Sequence, residues 1–324
     1  MRASGVGQIQ LRDHHPAAEP LIADVLAGLR DDPKRISPMY FYDAAGSILF
    51  DRICELPEYY PTRTETRILE QHGDDIARSI GDDALLVEFG SGSSLKTRLL
   101  LDRLPTLAAY VPVDISRSHL MNAAQAISAS YPDLEVMPVC ADFTQPFALP
   151  APRRPAERTV IFFPGSTIGN FDPPAALDLL KVMRRVAGPL GGLVVGTDLV
   201  KDPAVLVRAY DDAAGVTAEF NMNVLRRFNK EMGANFDLNQ FRHRAIWNAE
   251  SSRIEMHLVS RRRQRVRLAG ETLAFEAGEH IVTEHCHKYT VPGFAAQAAR
   301  ARWEATAHWL DDRGYFSVNY LEAG

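Results

Sequence analysis

Between residues 84 and 196 the hydrophobic pattern has one repeated form, a short unbroken apolar run followed by a helix-like stretch. The runs are Ala84-Leu85-Leu86-Val87-Glu88-Phe89, Ala108 to Asp114, and Thr159-Val160-Ile161-Phe162-Phe163-Pro164. A fourth, Gly192-Leu193-Val194-Val195-Gly196, follows a helical segment from Ala175 to Ala187. Strands without polar alternation are buried on both faces, and strands that alternate with helices pair in parallel. The pattern therefore predicts an α/β fold around a parallel sheet. A further strand candidate, Glu135 to Cys140, falls between the second and third runs.

The flanks have a different texture. Up to about residue 63 the chain reads as helical with aromatic clusters, Met39-Tyr40-Phe41-Tyr42-Asp43 and Glu58-Tyr59-Tyr60-Pro61. From about residue 200, helices over Pro203 to Lys230 give way to alternating strands at Arg253 to Val259, Arg263 to Leu268 and Glu279 to Cys286. The run Arg261-Arg262-Arg263 is short and isolated, and reads as a solvated hairpin turn rather than a nucleic-acid patch. Gly314 to Leu321 alternates like a closing strand. The two flanks are expected to pack together as a second, α+β domain of residues 1–63 plus 200–288, over a core of 64–199 plus 289–324.

Composition narrows the chemistry. With 324 residues the chain is long enough for two domains, or for one large domain with insertions, and 46% hydrophobic with 24% charged residues is ordinary for a globular protein. A net charge of −5 offers no general attraction to nucleic acid or anionic membrane, so a small molecule is the expected partner. Cys54, Cys140 and Cys286 are odd in number and widely spaced, which suggests neither a disulfide framework nor a zinc site. No stretch approaches the ~18 apolar residues of a membrane span, and the leading MRASGVGQIQLRDHHP lacks a signal-peptide core. A cytoplasmic monomer is expected.

The first apolar run ends in Glu88-Phe89-Gly90-Ser91-Gly92-Ser93. A Gly-x-Gly turn between strand and helix lets the backbone approach a nucleotide-like ligand and offers free N–H groups. The dinucleotide fingerprint would place a third glycine where Leu95 stands. Glu88 at the turn would repel a pyrophosphate and attract a cation, which favours S-adenosylmethionine, with its ammonium and sulfonium, over NAD. An acid about 20 residues on, at the end of the next strand, should take the ribose hydroxyls, and Asp114 stands there. Asp142 and Phe143, after the weaker strand, would bind and stack on the adenine. Lys96 either neutralises the cofactor carboxylate or faces solvent.

Longer stretches carry a resemblance. Phe41-Tyr42-Asp43-Ala44-Ala45-Gly46-Ser47, Leu56 to Glu65, Gly165-Ser166-Thr167-Ile168-Gly169-Asn170-Phe171 and Tyr210 to Thr217 resemble the ergothioneine-pathway L-histidine Nα-methyltransferases. The resemblance runs from about Pro33 to Leu321. It implies a Rossmann-like class I methyltransferase core with a second, substrate-binding domain, and Nα-trimethylation of L-histidine to hercynine by S-adenosylmethionine. Carried over by motif, Gly90, Lys96, Asp114, Asp142 and Phe143 would contact the cofactor. Tyr59, Asn170, Tyr210, Met256, Glu284 and Cys286 would surround the amino acid.

Elementary chemistry gives these positions roles. Asn170 lies beyond a strand's carboxyl end, where open α/β sheets bind ligands, and its amide can donate to a carboxylate alongside Tyr210. Methyl transfer from a sulfonium is an in-line displacement, so positioning supplies much of the rate and no metal is needed. The amine must arrive neutral, and Tyr42 or Tyr59 is the expected proton helper. Tyr42, Tyr59, Tyr60 and Phe220 could stabilise the quaternary product through cation–π contacts. Glu284 would accept from the imidazole.

One departure stands out. In the family the glutamate is usually followed two positions on by serine, often as Thr-Glu-Asn-Ser-Tyr-Lys-Tyr, whereas this chain reads Thr283-Glu284-His285-Cys286-His287-Lys288-Tyr289. A thiol is a weaker hydrogen-bond partner than a hydroxyl. Another amino acid or a histidine derivative is therefore the alternative substrate. A cofactor-binding protein without turnover and a nucleic-acid methyltransferase are alternatives of other classes. On one strand His285 and His287 face away from Cys286, so the three cannot share a metal.

Overall fold

The computed structural model of the chain describes residues 11–14, 20–91, 95–145 and 147–324. β1 (Arg12–Asp13) precedes α1 (Pro20–Arg30) and β2 (Lys34–Arg35), and α2 (Ala44–Glu55) leads into α3 (Tyr60–Ile80). The alternating units follow: β3 (Ala84–Phe89), α4 (Leu95–Leu101), β4 (Ala109–Asp114), α5 (Arg117–Ser130), β5 (Val139–Cys140), β6 (Arg158–Phe163), α6 (Pro173–Ala187) and β7 (Gly192–Asp198). Two helices, α7 (Pro203–Tyr210) and α8 (Val216–Glu231), open a second group of strands. These are β8 (Phe241–Asn248), β9 (Arg253–Ser260), β10 (Gln264–Leu268), β11 (Glu271–Phe275) and β12 (His280–His287). The described chain closes with α9 (Val291–Ala299), β13 (Trp303–Leu310) and β14 (Phe316–Ala323).

The large sheet runs β1-β5-β4-β3-β6-β7-β14-β13, parallel through β7 with β14 antiparallel beside it. This is the Rossmann-like class I methyltransferase arrangement. β3 and β7 are buried along their whole length, as their unbroken apolar runs require. Alternate residues feed two cores, Leu85, Val87 and Phe89 on one face and Ala84 and Leu86 on the other. α3 seals the second face with Ile68, Leu69, Ile76 and Ile80, each fully buried and worth about 1.5–3 kcal/mol. A third core joins residues far apart in sequence, Val25 to Tyr60 with Leu206 to Cys286, against the sheet β2-β12-β9-β8.

The departures from the sequence pattern have physical causes. β1 does not join the second sheet with the rest of the N-terminal flank; it pairs in parallel with β5 of the large one. The candidate strand at Glu135 to Cys140 shrinks to Val139–Cys140, because Pro138 carries no N–H to continue the ladder. The helices expected over 203–230 are present as two, divided where Asp212 accepts from the backbone N–H groups of Val216 and Thr217. Arg261 to Arg263 are exposed in a turn as expected, but the turn joins strands of different sheets and is not a hairpin. β8, β11 and β13 were not evident from the pattern; in β8 a polar residue, His243, takes an inward position between the exposed Arg242 and Arg244 and so breaks the apolar half of the alternation.

Candidate active site

At the carboxyl end of β3 the chain turns through Gly90, whose φ of +78° is a conformation side chains resist. Gly92 lies outside the described residues. The ring of Phe143 stacks on Phe89, with centroids 5.4 Å apart, beside the turn. Asp114, at the end of β4, accepts from the backbone N–H of Ser116 at 2.8 Å. Asp142 accepts from the N–H and hydroxyl of Thr144 at 2.9 and 2.7 Å. Both carboxylates are thus fixed by local turns. Burial pushes the Asp114 carboxyl up, a cost that hydroxyl donors would relieve. The Ser91 hydroxyl is buried in the turn without a partner among the described residues, so the turn holds an unsatisfied polar group of the kind a polar ligand would meet.

Two of the expected cofactor residues have partners within the chain. Glu88 is buried beneath the turn, its oxygens accepting from Thr97 at 2.9 and 2.8 Å and from Tyr110. It braces the start of α4. Burial, opposed by those bonds, pushes its carboxyl up to about 7. Lys96 is neither solvated nor free, because it is paired with the buried carboxylate of Glu65 at 2.5 Å. Glu65 in turn accepts from the N–H of Gly165 at 2.8 Å, linking α3, α4 and the turn after β6. Lys96 keeps donor capacity for a carboxylate, with its charge already offset.

The six side chains expected around the amino acid, Tyr59, Asn170, Tyr210, Met256, Glu284 and Cys286, all line one cavity, with Tyr42 at its rim. Asn170 ends a single 3₁₀ turn, Thr167–Asn170. That turn presses on β12 so closely that a Cβ on Gly169 would sit 2.7 Å from the carbonyl oxygen of His287. Met256 and Glu284 are cross-strand partners, and the register slips between Val282 and Glu284. This bulge re-aims the strand, so that Glu284 and Cys286 face the cavity while His285 and His287 face away. The Asn170 amide hydrogen-bonds Glu284, whose enclosure pushes its carboxyl up to about 7 against the pull of Lys288 and that amide.

Aromatic rings border the cavity. Tyr42, Phe50 and Phe220 stand 5.8 to 6.0 Å apart, and Tyr59 lies 6.2 Å from Phe50 and 6.0 Å from Tyr210. Tyr60, expected among them, points elsewhere, since its hydroxyl donates to Asp198 at 2.7 Å. Its position at the start of α3 turns it toward the sheet. Phe50 and Thr217 were missed by sequence reasoning. Thr217 is buried on the cavity wall, its backbone N–H donating to Asp212 at 2.7 Å.

A family profile described as histidine-specific, S-adenosylmethionine-dependent methyltransferase matches residues 21–323. The chain belongs to this family. It is an N-methyltransferase, and S-adenosylmethionine is its cofactor. It is 46% identical over 309 residues to the histidine N-alpha-methyltransferase of Mycolicibacterium smegmatis, covering 94% of this chain and 95% of that one. It is 44% identical over 301 residues to the protein of the same name from Mycobacterium tuberculosis, covering 91% and 92%. A Neurospora crassa protein called ergothioneine biosynthesis protein 1 is 33% identical over 208 residues, 63% of this chain and 24% of its own length.

Beneath the cavity this methyltransferase carries a buried ionic cluster that sequence reasoning did not single out. Lys288, fully buried, donates to Asp198 at 2.7 Å, to the Tyr210 hydroxyl at 3.0 Å and to the Cys286 sulfur at 3.0 Å. Lys201 donates to Asp198 at 2.5 Å and to Tyr60 at 2.7 Å. Two cations thus surround one carboxylate, a surplus of positive charge under Tyr210. Burial would raise the Asp198 carboxyl, but the two ammonium groups hold it below the usual range. The Cys286 sulfur lies 2.8 Å from the Tyr210 hydroxyl, and burial pushes the thiol up despite Lys288, so it stays protonated. A signal for Asp198 existed, because it is a fourth acid ending a buried strand, like Asp114.

Proposed function

We propose that this methyltransferase trimethylates the α-amine of L-histidine, giving hercynine. The observation that carries this reading is the convergence, in one cavity, of groups matched to each part of histidine. Asn170 and Tyr210, above the positive surplus of Lys288 and Lys201, suit the carboxylate. Glu284 suits the imidazole N–H. S-adenosylmethionine, when bound, supplies a methyl group on a sulfonium. The chain's part is to hold the amine neutral and in line, where fixed geometry replaces a bimolecular encounter.

Tyr59 is buried and its phenol is pushed well above its ordinary value, first by burial and then by Cys54, Cys286 and Glu284. It therefore stays a phenol, accepting the amine's hydrogen bond at its oxygen, while the proton leaves past Tyr42 at the rim. The rings of Tyr42, Phe50 and Phe220 favour the quaternary product by about 0.5–2 kcal/mol each where they face it. Tyr59, Tyr210, Met256, Glu284 and Cys286 on the cavity wall all come from residues 1–63 and 200–288, and we assign that body to substrate binding.

Titration of L-histidine into the protein with S-adenosylhomocysteine should show saturable binding. No heat of binding with histidine would sink the reading. A second reading rests on Cys286, whose sulfur is already engaged by Tyr210 and Lys288. It predicts that another amino acid or a histidine derivative competes better, and a panel of amino acids in the same titration separates the two.

A further inference from the structure

On the outer face of β12, opposite the cavity, His285 and His287 meet a residue that the sequence did not bring to mind. Asp172 Oδ1 lies 2.9 Å from Nδ1 of His285 and 3.1 Å from Nε2 of His287. The geometry points to a divalent transition-metal site, zinc in class, built from Asp172, His285 and His287. Their ligand atoms all lie within 4.8 Å of one another. Metal bonds of about 2.0–2.1 Å at tetrahedral to right angles separate neighbouring ligand atoms by about 2.9–3.4 Å, so the two oxygen-to-nitrogen spacings fit with little movement.

Local sequence frees the carboxylate for this. Asp172 is the N-cap of α6 but makes no side-chain cap bond. Pro173 and Pro174, the first helical residues, carry no N–H to be capped. Asp172 turns instead to the two imidazoles, which the strand alternation presents together. One positive group competes, for Arg253 donates to the same oxygen at 3.1 Å. Arg253 has another anchor, Glu255, which accepts at 2.8 Å, so it can give up Asp172 without losing its ion pair. Imidazole and carboxylate are ordinary zinc ligands, and His285 and Asp172 are open to solvent, with side chains 21% and 46% exposed.

The site joins two pieces of the active-site wall. Asp172 follows Asn170 by two residues, and His285 and His287 flank Cys286 on the strand that carries Glu284. An ion here would pin the Asn170 turn to β12.

The test uses the full chain without a histidine tag, stripped with chelator and titrated with zinc chloride, with cobalt(II) as the spectroscopic probe. One zinc per chain should bind, and the cobalt form should show visible ligand-field bands without thiolate charge transfer. His285→Asn and His287→Asn should each weaken uptake about 10–100-fold or more. Zinc should also raise the thermal midpoint of the unaltered protein and not of the variants. No saturable uptake, uptake unchanged in both variants, or a thiolate band naming Cys286 as ligand would overturn the proposal. If His287→Asn does not fold by far-ultraviolet circular dichroism, His285→Asn, at the more exposed position, decides.

Discussion

The two halves of the active site are built by opposite means. On the proposed cofactor side the two strand-end acids are held by their own neighbours, Asp114 by Ser116 and Asp142 by Thr144, two residues away in both cases. On the amino-acid side the wall gathers Tyr42, Tyr210 and Cys286 from distant parts of the chain, over a buried pairing of Asp198 with Lys288. The comparison teaches that the first half should tolerate single changes as local losses of affinity. The second is one interdependent unit.

Substitution of Lys288 should separate the halves most sharply. Lys288→Met leaves Asp198 with Lys201 as its one ammonium partner, beside the Tyr60 hydroxyl, and strips Tyr210 and Cys286 of the Lys288 donor. Breaking a buried ion pair costs about 3–5 kcal/mol. Urea unfolding should show a loss of that order, and histidine binding should vanish while S-adenosylhomocysteine still binds to the protein that remains folded. Unchanged stability would show that the cluster is not what supports the wall.

Next in size is a crossed pair. Glu284→Ala should raise KM for L-histidine by the loss of a charged hydrogen bond, about 1.5–3 kcal/mol, with S-adenosylhomocysteine affinity unmoved. Asp114→Ala should do the reverse. Calorimetry of both ligands against both variants checks this, and a variant that weakened both ligands equally would merge the two halves.

A pH series sharpens the same contrast. The Glu284 carboxyl titrates near 7 because its enclosure outweighs the pull of Lys288. Above that pH it is ionised and accepts from a ring N–H, and below it the acceptor is lost. Affinity for a histidine analogue with a non-titrating triazole ring should therefore fall as pH drops from 8 to 6, and Glu284→Gln should flatten the curve. A flat curve in the unaltered protein would remove Glu284 from the contact.

Smallest is Cys286→Ser. A hydroxyl in the same place would bond Tyr210 and Lys288 better than a thiol, and histidine affinity should rise a few-fold, roughly within 1 kcal/mol. A weaker complex would mean that this cavity is shaped around the thiol.

The same contrast explains how far sequence reading reached. β3 begins and ends where its apolar run does, Asp114 ends β4, and Asp142 follows the end of β5 by two residues, all positions that a few consecutive residues define. Local rules suffice there. The cavity residues were legible only through long motifs shared with a family, because no periodicity relates Tyr59 to Glu284. Tyr60 shows the cost of reading neighbours alike, since one step along α3 sends its ring to Asp198 instead of the cavity. Glu88 and Lys96 fell in the right segments, but their partners Tyr110 and Glu65 come from other elements. Asp172 had no signal at all, as its meeting with His285 depends on how α6 and β12 pack.

The most direct measurement is mass spectrometry of the product formed from L-histidine and excess S-adenosylmethionine. The account predicts a betaine carrying three methyl groups, all on the α-nitrogen by fragmentation. An unmodified histidine, or a methyl group on the imidazole ring, would contradict it.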